Sequence, residues 1–484
     1  MSHGFGSAGR ETAGMIAMKS RALAVAAIAA GALLAACSST SNPSPLPQPT
    51  STVGPLPAGH YIKHVVFIVQ ENRSFENMFA GWPGANAPMT GKMSDGSTIA
   101  LKPLSYSQEM DICHVWGDAL RAYDGGKMDG FDRERQTVGG GGCVQGSQIG
   151  TYPYHYMDHA EIAPYRTLAS EYVLADAMFP TEFGTSFTAH QDLIAGTTQI
   201  EAGHSLVNTP SAFPWGCDAP PGTITPLVDT HRVITPNGPF PCVTQYPTIA
   251  DSLDAGKVSW RYYVELPPSQ FVQSSAVWDA FDVIAKVRCA SFTPPSHCAG
   301  QGADWTKNMT SRPTQILSDP AKGDLPGVSW VIPDLNWADY PATTSDEGPS
   351  WVGDIVNAIG KSKYWDSTAI VVLWDDWGGF YDNAPPPQLD YVGNAIRVPC
   401  IIISPYAKHG VVSHTQYEYG SLLKFVEQVF DVASLHTTDD RANSIIDAFD
   451  FSQKPRKFVP VATKYPPSKF INSSPTFKAP DDDF

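Results

Sequence analysis

Two pairs of polar residues follow apolar runs in this sequence, and their chemistry is that of a metal site. The run VVLW ends directly in Asp375 and Asp376, and the earlier run HVVFIV leads through one glutamine into Glu71 and Asn72. Adjacent carboxylates repel each other unless a positive charge lies between them. An all-oxygen set favours Ca²⁺, Mg²⁺ or Mn²⁺ over zinc. Taken singly, each pair also fits a solvated acidic turn or a capped helix start.

A third segment, GTSFTAHQDLIAGT, offers a hydroxyl nucleophile. Thr185, Ser186 and Thr188 follow Gly184 and precede a helix that we predict over Ala189–Ala195. A hydroxyl at a helix N-terminus is usually a cap. The backbone N–H groups and the dipole at the same place also bind phosphate. The local sequence therefore leaves both roles open.

The elements that must position these residues are strands alternating with helices. Helical periodicity appears at Trp351, Ile355 and Ile359, and again between Leu422 and Phe430. This alternation predicts an α/β fold with a mostly parallel central sheet, in which ligands bind beyond the carboxyl ends of the strands. The predicted strands are His64–Val69, Val328–Ile332, Ala369–Trp374 and Val398–Ile403.

The N-terminal segment is typical of an export signal. Lys19 and Arg21 precede an apolar stretch that ends at residue 36, which at about 15 residues is short for a membrane span. The motif LAAC resembles a bacterial lipobox, which predicts cleavage before Cys37 and lipid on its thiol. A plain secretory signal is the alternative. We therefore expect a bacterial cell-envelope protein held to a membrane by an N-terminal lipid.

Composition divides the rest of the chain. Residues 37–59 are rich in Ser, Thr and Pro and predict a tether, residues 60–451 predict one catalytic domain, and residues 452–484 predict an extended tail. Residues 200–320 lack clear periodicity, so we expect inserted loops and small elements there. The net charge of −16 argues against nucleic acid as a partner.

The cysteines fit an oxidising compartment. Apart from Cys37 there are seven, and sequence neighbours suggest the pairs 113–143, 217–242 and 289–298, although connectivity does not follow from sequence. Cys400 lies inside an apolar run and predicts a buried thiol. No C-x-x-C or H-E-x-x-H spacing of a zinc site occurs.

Several motifs together resemble one family. ENRSFENMF, GTSFTAHQDLIAGT, WDDWGGFYDNAPPP and RVPCIIISPYAKHG occur in the order found in the phosphoesterase family of bacterial and plant phospholipases C and bacterial acid phosphatases. That family is related in fold to alkaline phosphatase. The resemblance spans about residues 60–432. It implies metal-assisted phosphoryl transfer through a covalent phosphoseryl intermediate.

The resemblance also implies roles for single residues. Ser186 falls at the position of the nucleophile, and His114 matches a histidine of the phosphate site. His190 stands where an arginine is common, so we expect it to contact a phosphate oxygen. The implied metal ligands are Glu71, Asn72, Asp375 and Asp376.

Three histidines common in the family are replaced here. Tyr340, Trp377 and Asn383 occupy their positions. The group put in doubt is the general acid that protonates the leaving oxygen. A leaving group of low basicity needs no such acid, and His409 or His414 is an alternative source.

The sequence thus predicts a lipid-anchored hydrolase of phosphate esters. The substrate is either a phosphomonoester, as for an acid phosphatase, or a phospholipid diester, as for a phospholipase C. The alternative is a non-catalytic envelope lipoprotein that binds a phosphorylated ligand on the same fold, since the three histidines are missing.

Overall fold

The structure is a computed structural model that describes residues 57–137, 143–266 and 277–477. The predicted signal peptide, Cys37, most of the tether and the last residues of the tail lie outside the described residues. An eight-stranded sheet forms the centre of the molecule. Its strands in chain order are β1 His64–Gln70, β2 Val173–Phe179, β3 Trp260–Tyr263, β4 Val328–Val331, β5 Thr368–Trp374, β6 Val398–Ile403, β7 Val411–Ser413 and β8 Tyr417–Glu418.

The spatial order of the sheet is β3-β4-β1-β5-β6-β2-β7, and β8 also pairs with β2. Strands β3, β4, β1 and β5 are mutually parallel, and β2 is parallel to β7 and β8. Strand β6 runs antiparallel to both of its neighbours. The carboxyl ends of β1, β5 and β2 therefore lie at one edge of the sheet. The predicted α/β class with a mostly parallel sheet is confirmed.

Strands β1 and β5 are the buried centre of this sheet. Every residue of β5 is buried, and so is every residue of β1 after His64. This explains why both strands are continuous apolar runs. They pair from His64 opposite Thr368 to Gln70 opposite Trp374, so they end level with each other. The residues that follow them emerge side by side.

Helices cover the sheet, and the two predicted from apolar periodicity are present. The longer helices are α1 Trp116–Tyr123, α2 Ala163–Glu171, α3 Ser186–Ala195, α4 Ile249–Ala255, α5 Gly348–Gly360 and α6 Tyr419–Phe430. The shorter helices are Ala58–Tyr61, Phe75–Phe79, Ala285–Arg288, Ala303–Asn308, Asp319–Lys322, Thr438–Arg441 and Pro467–Ile471. Within the described ranges, no helix combines the length and the apolar character needed to cross a membrane.

Small sheets lie around the main sheet, and four strands of the main sheet, β2, β3, β7 and β8, were not predicted. Strand β2 carries Asp176 within its apolar run, and β3 lies inside the segment expected to hold only loops and small elements. The small sheets pair Thr90–Lys92 with Thr98–Ala100, Lys102–Leu104 with His155–Met157, Arg135–Thr137 with Cys143–Gln148, and Cys289–Thr293 with His297–Gln301. A further four-stranded sheet contains Gln199–Glu201, His204–Leu206, Leu227–Asp229 and Ile234–Thr235.

The cysteine predictions are confirmed. Three disulfides join Cys113 to Cys143, Cys217 to Cys242 and Cys289 to Cys298. Cys400 is a buried free thiol on β6. The disulfides close loops outside the strands of the central sheet, with sequence separations of 30, 25 and 9 residues.

The C-terminal tail packs against the domain over its described part. Phe470 is fully buried between Trp337 and Trp351, with ring centroids 5.3 and 5.4 Å away. The Asn357 side chain exchanges hydrogen bonds of 2.8 and 2.9 Å with the backbone of Val461. The tail therefore contributes to the core on the α5 side of the sheet.

Two glycines let the chain turn sharply after β5. Gly378 and Gly379 both have positive φ, of 60° and 78°. A Cβ on Gly378 would lie 2.1 Å from the carbonyl oxygen of Asn72, and one on Gly379 would lie 2.3 Å from the Ile112 side chain. Asn72 itself has a φ of 62°, a conformation that asparagine tolerates better than most residues. The loops after β1 and β5 thus pack backbone against backbone.

Phe470→Ala tests whether the tail is part of the core. We expect a loss of about 3–5 kcal/mol in the free energy of unfolding, because a buried aromatic ring is replaced by a cavity. Denaturant unfolding followed by tryptophan fluorescence measures it. The control is Ile471→Ala on the same helix, whose side chain is 45% exposed and should lose less than about 1 kcal/mol. Equal losses would contradict the packing described.

Gly378→Ala tests the backbone approach to Asn72. The matched control is Gly96→Ala, where φ is also positive at 84° but nothing lies within 4 Å of the added Cβ. The control should lose about 1–2 kcal/mol of unfolding free energy from left-handed strain alone. We expect Gly378→Ala to lose at least about 2 kcal/mol more, because a collision is added to the strain. Similar losses in both variants would show that the loop containing Asn72 moves to accommodate the added methyl group at little cost in free energy.

Candidate active site

Three loops at one sheet edge bring the predicted site residues together. Glu71 and Asn72 follow β1, Asp375 and Asp376 follow β5, and Ser186 begins helix α3 after β2. All five are buried, at 1% exposure or less. The sheet register explains the convergence, because β1 and β5 end level and the Asp375 N–H bonds to the Gln70 carbonyl at 2.9 Å.

The carboxylate of Glu71 lies between two side chains of helix α3. Its Oε2 is 3.4 Å from the Ser186 hydroxyl, and its Oε1 is 3.1 Å from Nε2 of His190. Ser186 and His190 are four residues apart, so they share one face of the helix. The helix predicted over Ala189–Ala195 is present and begins three residues earlier, at Ser186.

The two aspartates are held in different ways. Asp375 Oδ1 accepts a hydrogen bond of 3.0 Å from the Asn72 N–H, and its Oδ2 is buried without a hydrogen-bond partner in the described structure. Asp376 Oδ1 accepts from the Gly378 N–H at 2.8 Å. Its Oδ2 is 3.5 Å from the Ser186 hydroxyl. Each aspartate is thus anchored through one oxygen, with the other directed towards the cluster.

His114 orients Asn72. Nδ1 of His114 lies 2.7 Å from the Ile112 carbonyl oxygen, which only accepts, so this nitrogen carries the proton. In the neutral ring Nε2 then accepts from the Asn72 amide nitrogen, 2.9 Å away. The Asn72 Oδ1 is left buried and without a hydrogen-bond partner among the described residues. A histidine expected to donate to phosphate thus holds the amide oxygen of a predicted ligand in place.

The cluster carries more negative than positive charge. Three buried carboxylates, Glu71, Asp375 and Asp376, meet there. Arg73 is the nearest guanidinium in sequence, but it is committed to the Glu109 carboxylate at 2.9 Å and to the Asp339 carbonyl oxygen at 2.9 Å. Buried carboxylates are stable only when they are paired or coordinate a cation.

A divalent ion fits these residues. Among the described residues, Asn72 Oδ1 and Asp375 Oδ2 are buried oxygens that lack hydrogen-bond partners, as an ion's ligands would in its absence. Ligand atoms of Glu71, His190 and Asp375 also lie within 4.8 Å of one another. Two of the predicted ligands and His190 are therefore close enough to hold one ion.

His190 is a neutral imidazole in this arrangement. Burial lowers its pKa to about 4, and the nearby Asp375 carboxylate opposes this only in part. A neutral ring has one nitrogen free to accept a proton or bind a metal.

The residues in place of the three absent histidines have other roles. Tyr340 donates to the Asp111 carboxylate at 3.1 Å, and Trp377 packs edge-on against Phe131 with ring centroids 5.8 Å apart. The Asn383 amide oxygen accepts from Arg397 at 3.0 Å. Each of the three side chains is engaged in packing or hydrogen bonding.

His409 and His414, the alternative candidates for the general acid, lie at the protein surface. His409 is 63% exposed beside Glu171 and Arg456, and His414 is 64% exposed and contacts Asp176 at 2.9 Å. Their described contacts are with these groups and not with Ser186.

Sequence reasoning missed the arginines that support the site. Arg73 anchors the loop after β1 to Glu109, and Arg397 forms a fully buried ion pair with Asp382 at 3.1 Å. Each lies within a motif quoted above. Nothing in the local sequence distinguishes such an arginine from a surface one, because both partners are distant in the chain.

Two phospholipases C are similar to this chain in sequence. Phospholipase C A of Mycobacterium tuberculosis strain H37Rv is 24% identical over 474 residues, which cover 86% of this chain and 83% of that protein. The non-hemolytic phospholipase C of Pseudomonas aeruginosa is 23% identical over 454 residues, covering 81% of this chain and 57% of that protein.

Solved structures also match parts of this chain, at low identity and with low TM-scores. A protein in the alkaline phosphatase superfamily from Vibrio parahaemolyticus matches with a TM-score of 0.34 and 11% identity, over 78% of this chain and 69% of that one. A phosphonate monoester hydrolase from Silicibacter pomeroyi matches with a TM-score of 0.33 and 11% identity, over 62% of this chain and 73% of that one.

The family model gives the assignment directly. It is the model of the Phosphoesterase family, and it matches residues 62–433, a range that starts just before β1 and ends just after α6. All the residues of the carboxylate cluster lie within it. This chain belongs to the Phosphoesterase family.

Proposed function

We propose that this protein hydrolyses phosphate ester bonds with the help of a divalent metal ion, through a phosphoseryl intermediate on Ser186. The observation that carries the proposal is the position of the Ser186 hydroxyl, 3.4 Å from Glu71 Oε2 and 3.5 Å from Asp376 Oδ2. Two carboxylates at this distance can accept the hydroxyl proton as the oxygen attacks phosphorus. Asn72, Asp375 and the two carboxylates would hold the ion.

The ion, when bound, supplies positive charge that lowers the pKa of the hydroxyl and stabilises the phosphoryl oxygens. In the first step the Ser186 oxygen bonds to phosphorus while the bond from phosphorus to the leaving oxygen breaks. The leaving alcohol takes its proton from water. In the second step water attacks phosphorus, which releases phosphate or a phosphate monoester and restores the Ser186 hydroxyl.

The start of helix α3 supports the same role. Ser186 is the first residue of the helix, so unpaired backbone N–H groups and the positive end of the dipole lie beside it. These groups suit a phosphoryl group carried on the Ser186 oxygen.

The proposed substrate class is supported by the relatives. The three positions at which the family commonly has histidine offer no imidazole to protonate the leaving oxygen, so that proton comes from water whichever ester is the substrate. The sequence relatives are phospholipases C, so we place the diester of a phospholipid headgroup first and a phosphomonoester second. Export and lipid anchoring through Cys37 in the bacterial cell envelope complete the proposal and would bring the site close to lipid.

The experiment compares hydrolysis of p-nitrophenyl phosphate and p-nitrophenylphosphorylcholine by the chain from residue 38 onward. We expect turnover of the choline diester that EDTA abolishes and that added divalent metal restores. Turnover of the monoester alone would make the protein a phosphatase. Absence of turnover with every metal would favour a binding protein for phosphorylated ligands.

Ser186→Ala should lower kcat at least about 1,000-fold, because the nucleophile is removed. The matched control is Thr188→Val on the same helix, whose hydroxyl bonds to the Thr185 carbonyl at 3.2 Å and which should stay within about tenfold of wild type. Acid quenching during turnover, followed by mass spectrometry, should find phosphate on Ser186. Full activity of Ser186→Ala would overturn the assignment of the nucleophile.

A further inference from the structure

We propose that Nε2 of His190 is a direct ligand of the metal ion in this site, together with one oxygen each from Glu71 and Asp375. The site then favours Zn²⁺ or Fe²⁺ over Ca²⁺ and Mg²⁺. The inference rests on the proposed function for the presence of the ion. It departs from the all-oxygen site predicted from sequence and from the expectation that His190 contacts phosphate.

The separations of the three ligand atoms suit one ion. Nε2 of His190 lies 3.1 Å from Glu71 Oε1 and 3.9 Å from Asp375 Oδ2. Neighbouring ligand atoms held about 2.1 Å from a common ion lie about 3.0–3.4 Å apart in octahedral or tetrahedral geometry. The distance to Glu71 falls in this range and the distance to Asp375 exceeds it by about 0.5 Å, while the Glu71 and Asp375 oxygens lie within 4.8 Å of each other.

The polar contacts of the His190 ring are concentrated at this nitrogen. Its Nδ1 has no hydrogen-bond partner among the described residues, whereas Nε2 faces both carboxylates. A hydrogen bond from Nε2–H satisfies one oxygen of Glu71 and leaves Asp375 Oδ2 buried without a partner. An ion between the three groups satisfies both oxygens and uses the lone pair of Nε2.

Helix α3 fixes the relation between this nitrogen and the nucleophile. Ser186 and His190 stand one turn apart on one face, and each contacts a different oxygen of the Glu71 carboxylate. The helix therefore presents the attacking hydroxyl and the nitrogen ligand to the same carboxylate. An ion bound by His190 and Glu71 lies next to the Ser186 oxygen.

A nitrogen ligand changes which metals the site prefers. Ca²⁺ and Mg²⁺ are bound by oxygen, whereas imidazole suits zinc, iron, nickel and copper. Removing His190 should therefore weaken zinc binding strongly and calcium binding little.

Electron spin-echo spectroscopy of the full chain loaded with Mn²⁺ tests ligation directly. A nitrogen bound to Mn²⁺ modulates the echo, and no hydrolysis is measured. We expect ¹⁴N modulation in the wild type and in His409→Gln, a change at the exposed surface, and its loss in His190→Gln. Modulation absent from the wild type, or kept in His190→Gln, would overturn the inference.

A second variant is used in case His190→Gln does not fold. If His190→Gln does not fold by circular dichroism, His114→Gln decides between the two histidines of the cluster. Nitrogen modulation that persists in His114→Gln assigns the ligand to His190, and its loss refutes this.

Competition titration with a chromophoric chelator gives the selectivity. His190→Gln should bind Zn²⁺ at least about tenfold more weakly than wild type and Ca²⁺ within about threefold. Unchanged zinc affinity in a folded variant would contradict direct ligation. Because these readouts concern metal binding, an inactive protein that keeps the nitrogen coupling would refute the proposed function and leave this inference standing.

Discussion

The structure depends on how β1 and β5 end. Their parallel register brings Gln70 level with Trp374, so the next residues of both strands enter the same buried space. Those residues include Glu71, Asp375 and Asp376, and burying three ionised carboxylates together is costly unless a cation compensates for their charge. The strands supply the apolar burial that holds the loops, and the loops carry negative charge that the proposed divalent ion would reduce. The buried strand ends that stabilise the fold and the residues proposed to carry the chemistry therefore lie at the same edge of the sheet.

The surroundings of this edge hold the acids in one geometry. Gly378 allows the loop after β5 to contact the backbone of Asn72, and His114 holds the Asn72 amide through its nitrogen. Arg73 is bound to Glu109 and to the Asp339 carbonyl oxygen, and so it stabilises the loop after β1. Sites built on rigid strand ends hold their ligands more accurately than sites built on long loops.

Helix α3 makes this site differ from a simple oxygen cage. It begins at Ser186, and one turn later it places His190 against the same Glu71 carboxylate. The proposed nitrogen ligand and the proposed nucleophile then move as one rigid unit. Replacement of three family histidines by Tyr340, Trp377 and Asn383 adds packing and hydrogen bonds around the loops.

The sequence by itself determined the apolar strands β1, β4, β5 and β6, the amphipathic helices α5 and α6 and the acidic pairs at the strand ends. These are local signals, since burial on both faces of a strand or one face of a helix imposes a period on the residues. Neighbouring cysteines only suggested the disulfide pairs, which the structure confirms. Only the tertiary structure decided that β2, β3, β7 and β8 complete the sheet, because Asp176 interrupts the apolar run of β2 and the other three strands are short. Tertiary structure also placed His190 beside Glu71, 119 residues away in the chain. Such contacts depend on strand order and register, which no local pattern records.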